Sequence, residues 1–487
     1  MRDLEHAAAP VDVTLAADTR DGVDRCHRFL GDYLGSGAPV YGSTTGFGPL
    51  VDYSGRPDSA DQCENVLAHL SAGHGPDLDV AVVRATMLVR LWSLCQGRSG
   101  VSLDVVDALT AALGTGFAPA VPSLGSVGAS GDLIPLSYLA NALRGNGNAY
   151  VDGVRMPARD ALSRSGLSPL LLAGRDALAL VNGTSLTAAA AGLALAALQR
   201  SVDGAVLLSA LLTDVLGAAP AFANDELLTA YGHPQTVRVG KSLRDWLAGS
   251  RPTGTRSLQE PYSVRCVPQL VGAAGSALSY AAEVIKADLN GVSDNPLCFA
   301  EHGLVAHGGN FFGQPVAFAA DMLTLVATQL GNLAERQLDL LIDPHRNGGL
   351  PPMLSVDPGR QHGVQGVQLA ATAIVADMRR TATPASIQSL PTNLHNQDIV
   401  PFGTQAALNA LAHARSLRTL QGSLALALRQ AVHVGARTPT AVECAAVHAQ
   451  FAERIPAIDS DRALDNDVNR GADLLDEIVD AYASGAR

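Results

Sequence analysis

The sequence is poor in charged and aromatic side chains. Asp, Glu, Lys and Arg make up 16% of its 487 residues, and Phe, Trp and Tyr make up 4%. Hydrophobic residues reach 47%, so the composition excludes a disordered chain and favours a protein with a large buried core. Acidic side chains outnumber basic ones by 46 to 34, which argues against nucleic acid or an anionic membrane as the main partner.

Cysteine is also scarce, with six residues and no pair at CxxC spacing. This pattern argues against a disulfide framework and a zinc site, and it predicts reduced thiols in the cytoplasm. No group of His, Asp and Glu has metal-ligand spacing, so we expect no metal. The first twenty residues are too charged for a secretory signal.

One uncharged stretch, residues 177–199, is long enough to raise the question of a membrane span. It is dominated by Ala, and Asn182, Gly183 and Thr184 cluster in one part of it. We therefore predict the core helix of a large soluble protein and no membrane partner.

The texture of the chain changes near residue 176. Residues 1–175 alternate short helical patterns with Gly- and Pro-rich loops, including a hairpin predicted to turn at Asp152-Gly153. Residues 176–487 contain long Ala- and Leu-rich segments with apolar residues at i, i+3, i+4 and i+7. We predict an all-α protein, in which a loop-rich N-terminal domain precedes a long central helical bundle with a C-terminal helical tail. The few surface charges on such helices favour an oligomer.

The loop "GSVGASGD", residues 125–132, allows three interpretations. It could be a flexible connection, an anion-binding nest at a helix N-terminus, or a loop that modifies itself. Asp132 is predicted to cap a helix whose apolar positions follow helical spacing, and Gly125 and Gly128 permit a tight fold before it. In a compressed loop the Gly131 nitrogen would meet the Ala129 carbonyl. Cyclisation there, with loss of water from Ser130, would create an electrophilic methylidene-imidazolone.

The sequence "GSVGASGDLIPLSYLA" resembles the prosthetic-group motif of the histidine and aromatic amino acid ammonia-lyases and related aminomutases. Other blocks resemble this family in the same order: "YGSTTGFGPL", "LVNGTSL", "QEPYSVRCVPQ", "SDNPL", "HGGNFFGQPVAFAAD", "LAERQLDLL" and "NQDIVP". The resemblance implies a fumarase/aspartase-like helical fold and 4-methylidene-imidazol-5-one (MIO), formed autocatalytically from Ala129, Ser130 and Gly131. It also implies no metal or nucleotide cofactor, and a homotetramer with active sites shared between subunits.

The resemblance also implies roles for individual residues. Tyr41 matches a catalytic base on a mobile lid, which requires surroundings that favour the phenolate. Arg265 matches the clamp for the substrate carboxylate, and Tyr262 matches a second catalytic tyrosine on the same helical face. The remaining matches are polar or packing groups around MIO and the substrate: Asn182, Gln259, Asn310 and Phe311.

Two further pairs resemble positions that select the substrate. His69-Leu70 carries the histidine typical of tyrosine-using members, since an imidazole nitrogen can bond a phenolic hydroxyl, although His74 lies five residues further on. Asn396-Gln397 has an amide where histidine-using members have Glu. The two pairs favour tyrosine, with phenylalanine second and histidine third.

The predicted function is therefore MIO-dependent elimination of ammonia from L-tyrosine to give p-coumarate. The alternatives are a tyrosine 2,3-aminomutase that gives β-tyrosine, a phenylalanine ammonia-lyase, and a non-catalytic helical oligomer or binding protein. One departure from the family pattern is Asp288, which stands where members often have Glu.

Overall fold

The computed structural model of the chain describes residues 1–435 and 437–485. Helices dominate these residues, as the sequence predicts. They are α1 (Arg2–His6), α2 (Ala17–Gly35), α3 (Ser59–Leu70), α4 (Val80–Leu94), α5 (Leu103–Leu113), α6 (Leu133–Leu143), α7 (Ala158–Arg164), α8 (Asp176–Val181), α9 (Ser185–Leu216), α10 (Asp225–Tyr231), α11 (Pro234–Trp246), α12 (Tyr262–Arg265), α13 (Val267–Asn290), α14 (Gln314–Ile342), α15 (Gln365–Thr381), α16 (Gly403–Val434), α17 (Val442–Arg454) and α18 (Asp465–Ala483).

Short strands form three small antiparallel sheets. They are β1 (His74–Asp77), β2 (Phe117–Pro119), β3 (Pro122–Leu124), β4 (Asn148–Val151), β5 (Val154–Pro157), β6 (Leu297–Phe299) and β7 (Leu304–Ala306). β1 pairs with β3, β2 with β4 and then β5, and β6 with β7. The predicted hairpin is confirmed. β4 and β5 join at Asp152-Gly153, where both residues have positive φ, as a two-residue turn requires.

The chain forms two compact units. Unit 1 contains residues 1–194, 281–321 and 384–411, and unit 2 contains residues 195–280, 322–383 and 412–487. The division at residues 175 and 176 drawn from the sequence stays a prediction. Its second part includes Ala436 and residues 486–487, which lie outside the described residues.

The core of unit 1 gathers the apolar faces of its short helices. In α6 the buried positions Leu136, Leu139, Ala140 and Leu143 have the predicted helical spacing. They join buried residues of α3, α4, α5 and α8 in one cluster. This packing fixes the ends of α3 and α6, where two of the candidate site segments lie.

A buried carboxylate organises part of unit 2. Asp214, near the end of α9, accepts hydrogen bonds from the backbone nitrogens of Thr440 (2.7 Å) and Ala441 (2.8 Å). It also accepts one from the Arg437 guanidinium at 3.2 Å. A buried carboxylate needs such donors to offset its lost hydration. Asp214 thereby ties α9 to the segment before α17.

Within residues 1–435 and 437–485, two helices are long and apolar enough to cross a membrane: α9 and α14. In each, 72% of the most apolar window is buried within the protein. Length and composition are weak indicators here, because a buried core helix has the same properties.

Candidate active site

The Ser130 loop is compressed against a second backbone segment of unit 1. Gly128 and Gly131 have φ values of 72° and 70°, and an isolated bridge joins Gly131 to Gly183. A Cβ on Gly131 would lie 2.2 Å from the Gly183 carbonyl oxygen, so only glycine fits. The sequence predicts this tight fold.

Asn182, next to Gly183, has one side-chain atom free for another group. Its side-chain Nδ2 donates to the Asn295 backbone carbonyl at 3.0 Å. The backbone carbonyl of Asn182 accepts from the buried Arg90 guanidinium at 2.8 Å. Its Oδ1 is buried and has no hydrogen-bond partner among the described residues. A buried acceptor of this kind normally has a partner. The glycine-only contact beside Ser130 fits a cyclised, planar group formed from residues 129–131. Such a group has no N–H of its own, so the orphaned amide oxygen beside it is suited to an ammonium donor.

Asp132 does not cap its own helix, contrary to the sequence prediction. It occupies the N-cap position of α6, but its side chain makes no hydrogen bond to that helix. The buried carboxylate instead accepts from the Thr187 amide at 2.9 Å and from the Thr404 hydroxyl at 2.6 Å. Burial raises the pKa of Asp132, and these donors oppose that rise. The side chain thus joins the Ser130 loop to the first turns of α9 and α16. Hydrogen bonds to these two helices replace the cap to α6.

Gln397 reaches Ser130 directly. Its Nε2 donates to Ser130 Oγ at 2.9 Å, and its Oε1 accepts from the Thr392 hydroxyl at 2.6 Å. Thr392 thereby fixes which end of the amide faces the serine. Of the predicted substrate-selecting pair, Gln397 contacts the loop, whereas Asn396 is exposed on the adjoining turn.

Tyr41 lies in an aromatic row with Phe47 and His69. The Tyr41 and Phe47 rings meet edge to face with centroids 6.3 Å apart, and the His69 ring stacks on Phe47 at 5.9 Å. Tyr41 Oη accepts a hydrogen bond from the Gly48 amide at 2.9 Å. That amide opens a short 3₁₀ helix, Gly48–Leu50, and its donation fixes the position of the phenolic oxygen.

His69 is exposed at the C-terminal end of α3, and Leu70 beside it is buried. The His69 Nδ1 lies 3.0 Å from the Asn65 carbonyl oxygen. A carbonyl only accepts, so in the neutral ring Nδ1 carries the proton and Nε2 is the acceptor. His74 is also exposed but lies in β1, where its Nδ1 contacts the Ala72 carbonyl.

Asp288 contacts Thr184, the residue that follows Asn182 and Gly183 in the chain. Its carboxylate accepts from the Thr184 hydroxyl at 2.7 Å. Burial, with a smaller contribution from the negative charge of Asp132, raises the pKa of Asp288 to about 6. Among the described residues, no group of three or more His, Cys, Asp or Glu could hold a metal ion.

Three candidate residues belong to unit 2. The guanidinium carbon of Arg265 lies 4.7 Å from the centroid of the Tyr262 ring, which confirms that the two share a helical face. Arg265 and Gln259 line a cavity of about 510 Å³. Arg265 Nε is buried without a partner in the part of the chain that the structure describes. A free, fixed guanidinium edge is suited to an anion.

Asn310 and Phe311 lie in unit 1, in the loop between β7 and α14. Asn310 is exposed and Phe311 is half-buried. Their assignment to the support of MIO stays a prediction.

Sequence reasoning missed several residues that shape this site. Phe47 joins Tyr41 to His69, Thr392 orients Gln397, and His307 accepts from the Tyr41 backbone nitrogen at 3.2 Å. Phe47 and His307 both lie within blocks that resemble the family, so their presence in those blocks was the available signal. Nothing in the sequence spacing connects residue 41 to residue 307.

The sequence is similar to aromatic amino acid lyases over most of its length. The family model for aromatic amino acid lyases matches residues 1–453. A histidine ammonia-lyase of Geobacillus kaustophilus is 37% identical over 449 residues, covering 91% of this chain and 89% of the relative.

Two solved structures extend the comparison to the fold. A tyrosine aminomutase from Streptomyces globisporus superposes with a TM-score of 0.92 at 31% identity, covering 99% of this chain and 96% of that one. A phenylalanine aminomutase from Pantoea agglomerans superposes with a TM-score of 0.90 at 27% identity, covering 97% and 96% of the two chains. The similarity therefore extends over nearly the whole chain.

Proposed function

Since the chain belongs to the aromatic amino acid lyase family, we propose that it eliminates ammonia from L-tyrosine to give p-coumarate. Its helical fold is that of the ammonia-lyases and aminomutases. The choice of tyrosine depends on one observation. His69 presents Nε2 as an acceptor at the end of the Tyr41–Phe47–His69 row, where it can bond a phenolic hydroxyl.

The proposed reaction needs an electrophile, a base and an anion clamp. MIO, formed from Ala129, Ser130 and Gly131 with the loss of two water molecules, would supply an electrophilic centre that makes the substrate amine a better leaving group. Asn182 Oδ1, buried and without a partner in the described chain, would accept from the substrate ammonium. The Gln397 amide, which donates to Ser130 Oγ before that oxygen leaves as water, would remain beside the modified residue. This assignment is supported by the compression of the loop against Gly183.

The chain's other groups move the proton and fix the substrate. Tyr41, acting as the base, takes a proton from the β-carbon, the C–H electron pair forms the double bond, and ammonia leaves with the electron pair of the C–N bond. Tyr41 then returns its proton to solvent, which restores the base. The Gly48 amide holds the phenolic oxygen that receives the hydrogen. Arg265 binds the carboxylate through its free guanidinium edge, with Tyr262 against its face.

Histidine is the second candidate substrate, because a histidine ammonia-lyase is 37% identical to this chain. Gln397 is the residue that favours tyrosine over histidine, since an uncharged amide suits a phenol and a carboxylate suits an imidazole. An aminomutase reaction, in which ammonia is added back at the β-carbon, is the alternative that the fold similarity to the tyrosine aminomutase supports. We further propose a cytoplasmic homotetramer with active sites shared between subunits, and its mass in solution is measurable by light scattering.

Product analysis tests these proposals. Parallel incubations with L-tyrosine, L-phenylalanine and L-histidine should give p-coumarate fastest, with less cinnamate and urocanate and little β-tyrosine. A wild-type intact mass lower by two waters than that of the chain, with both waters retained in Ser130→Ala, would support MIO. No turnover of any of the three substrates would refute the proposed function and leave a non-catalytic helical protein.

The role of His69 has a sharper test. His69→Phe should lower the ratio of kcat/KM for tyrosine over phenylalanine by about tenfold, the effect of losing one hydrogen bond to the substrate. His74→Phe is the matched control, because it changes an exposed histidine five residues away. An unchanged ratio in His69→Phe, or an equal change in the control, would reject the role.

A further inference from the structure

The segment that carries Tyr41 is joined to another part of unit 1 by a histidine that has no role in the proposed reaction. The Tyr41 backbone nitrogen donates a hydrogen bond to His307 Nε2 at 3.2 Å, across 266 positions of sequence. A backbone N–H is always a donor, so Nε2 must be the unprotonated nitrogen of the ring. The bond therefore forms with neutral His307 and is lost when the imidazole is protonated.

His307 is placed by the same backbone that holds Asn182. It follows β7, whose Ala306 pairs with Leu297 of β6. The next residue, Gly308, donates its amide to Asn295 Oδ1 at 2.8 Å, and the Asn295 carbonyl accepts from Asn182 Nδ2. His307 thus connects the Tyr41 segment to the framework beside the Ser130 loop.

The surroundings favour the neutral ring. Partial loss of hydration and the positive charge of Arg175 lower the pKa of His307 below its usual value of 6.5, although the residue as a whole is exposed. Arg175 is itself paired with Asp294 at 2.8 Å, and both side chains are fully buried. On the side of Tyr41 the imidazole meets the uncharged backbone N–H, while the Tyr41 hydroxyl is bonded to the Gly48 amide. The ring is therefore in its acceptor form at neutral pH.

We propose that His307 is a positioning residue, which latches the backbone of Tyr41 in place through its neutral imidazole and releases it on protonation. The proposal rests on the proposed function, because its catalytic consequence follows from Tyr41 acting as the base. Release of the latch lowers the fraction of molecules with the phenolic oxygen in position. The effect falls on kcat more than on KM, since the substrate contacts assigned to His69 and Arg265 do not involve His307.

Two substitutions separate the latch from the packing of the ring. His307→Gln places a side-chain oxygen near the position of Nε2, so it keeps an acceptor that does not titrate. His307→Leu removes the acceptor. His302→Gln is the matched control, because His302 is exposed in the turn of the same hairpin.

The kinetic test measures kcat and KM for L-tyrosine from pH 5 to 9. We expect kcat of His307→Leu to fall about tenfold at pH 8, the usual effect of one hydrogen bond, with KM changed less than threefold. His307→Gln should retain kcat within about threefold at pH 8 and lose less activity than wild type between pH 7 and pH 5. The latch is refuted if His307→Leu keeps wild-type kcat, or if the acidic limb of His307→Gln coincides with that of wild type.

Hydrogen exchange of the lid tests the same latch without turnover. After correction for the intrinsic pH dependence of exchange, the amide of Tyr41 should be protected in wild type at pH 8 and lose protection as the pH falls below 6.5 and the imidazole is protonated. It should stay protected throughout this change in His307→Gln and unprotected throughout in His307→Leu. If no amino acid is turned over but this pattern appears, the proposed function fails and the latch stands. If turnover occurs and protection is the same in all variants, the latch fails and the proposed function stands.

Discussion

The raised pKa of the buried Asp288 carboxyl can be tested through the pH dependence of the protein's stability. Its pKa is raised from 3.8 to about 6, chiefly by burial. Because the folded value lies above the unfolded one, Asp288 contributes a stability that is fully present below pH 3.8 and is lost as pH rises through about 6. At about 1.4 kcal/mol per pH unit, ionisation of Asp288 costs the fold about 3 kcal/mol at pH 8.

Asp288→Asn removes this cost and keeps an oxygen that accepts from the Thr184 hydroxyl. The free energy of unfolding, measured by urea denaturation, should be nearly equal in variant and wild type at pH 4. At pH 8 the variant should be more stable by up to about 3 kcal/mol, reduced by the weaker hydrogen bond from Thr184 to a neutral acceptor.

The difference between variant and wild type isolates one residue, since the other titrating groups cancel. Asp12→Asn makes the same chemical change at an exposed position and serves as the control. Thr184→Val removes the hydroxyl that favours the carboxylate and should steepen the loss of stability with rising pH. A stability difference between Asp288→Asn and wild type that does not vary with pH would refute the reasoning.

Two further substitutions probe the Ser130 loop. Gly183→Ala would place a Cβ 2.1 Å from the Ser293 carbonyl oxygen. We therefore expect the bridge to Gly131 to break and the intact mass to retain both waters. Gly308→Ala is the control, because nothing lies within 4 Å of a Cβ at that position. A Gly183→Ala protein that loses both waters as wild type does would contradict the packing argument. Gln397→Glu replaces the uncharged amide beside residue 130 by a carboxylate, which suits an imidazole, and it should shift the kcat/KM ratio from tyrosine toward histidine by about tenfold to a hundredfold. An unchanged ratio in parallel assays would remove Gln397 from substrate selection.

Local sequence determined much of the secondary structure. The spacing of Leu136, Leu139, Ala140 and Leu143 predicts α6 because one helical face must be buried. Asp152-Gly153 predicts the β4–β5 turn because both residues tolerate positive φ. These features depend on neighbours within a few positions, so the chain carries them locally.

The order of the family blocks also predicts, from sequence alone, a loop and a set of side chains for the candidate site. The identity of the chemical groups is a property of the sequence, and so is the match to the aromatic amino acid lyases. Tyr41, Ser130 and Arg265 could therefore be singled out before any geometry was known.

Tertiary structure alone decided which partners these groups have. Asp132 precedes α6, and aspartate often caps a helix, yet its carboxylate accepts hydrogen bonds from Thr187 and Thr404. A buried carboxylate must be bonded by whichever donors the fold brings to it, and here those donors belong to other helices. His307 meets the Tyr41 amide across 266 positions. Hydrogen bonds of this kind form wherever the folded backbone brings a donor to an acceptor, and no local pattern in the sequence records that distance.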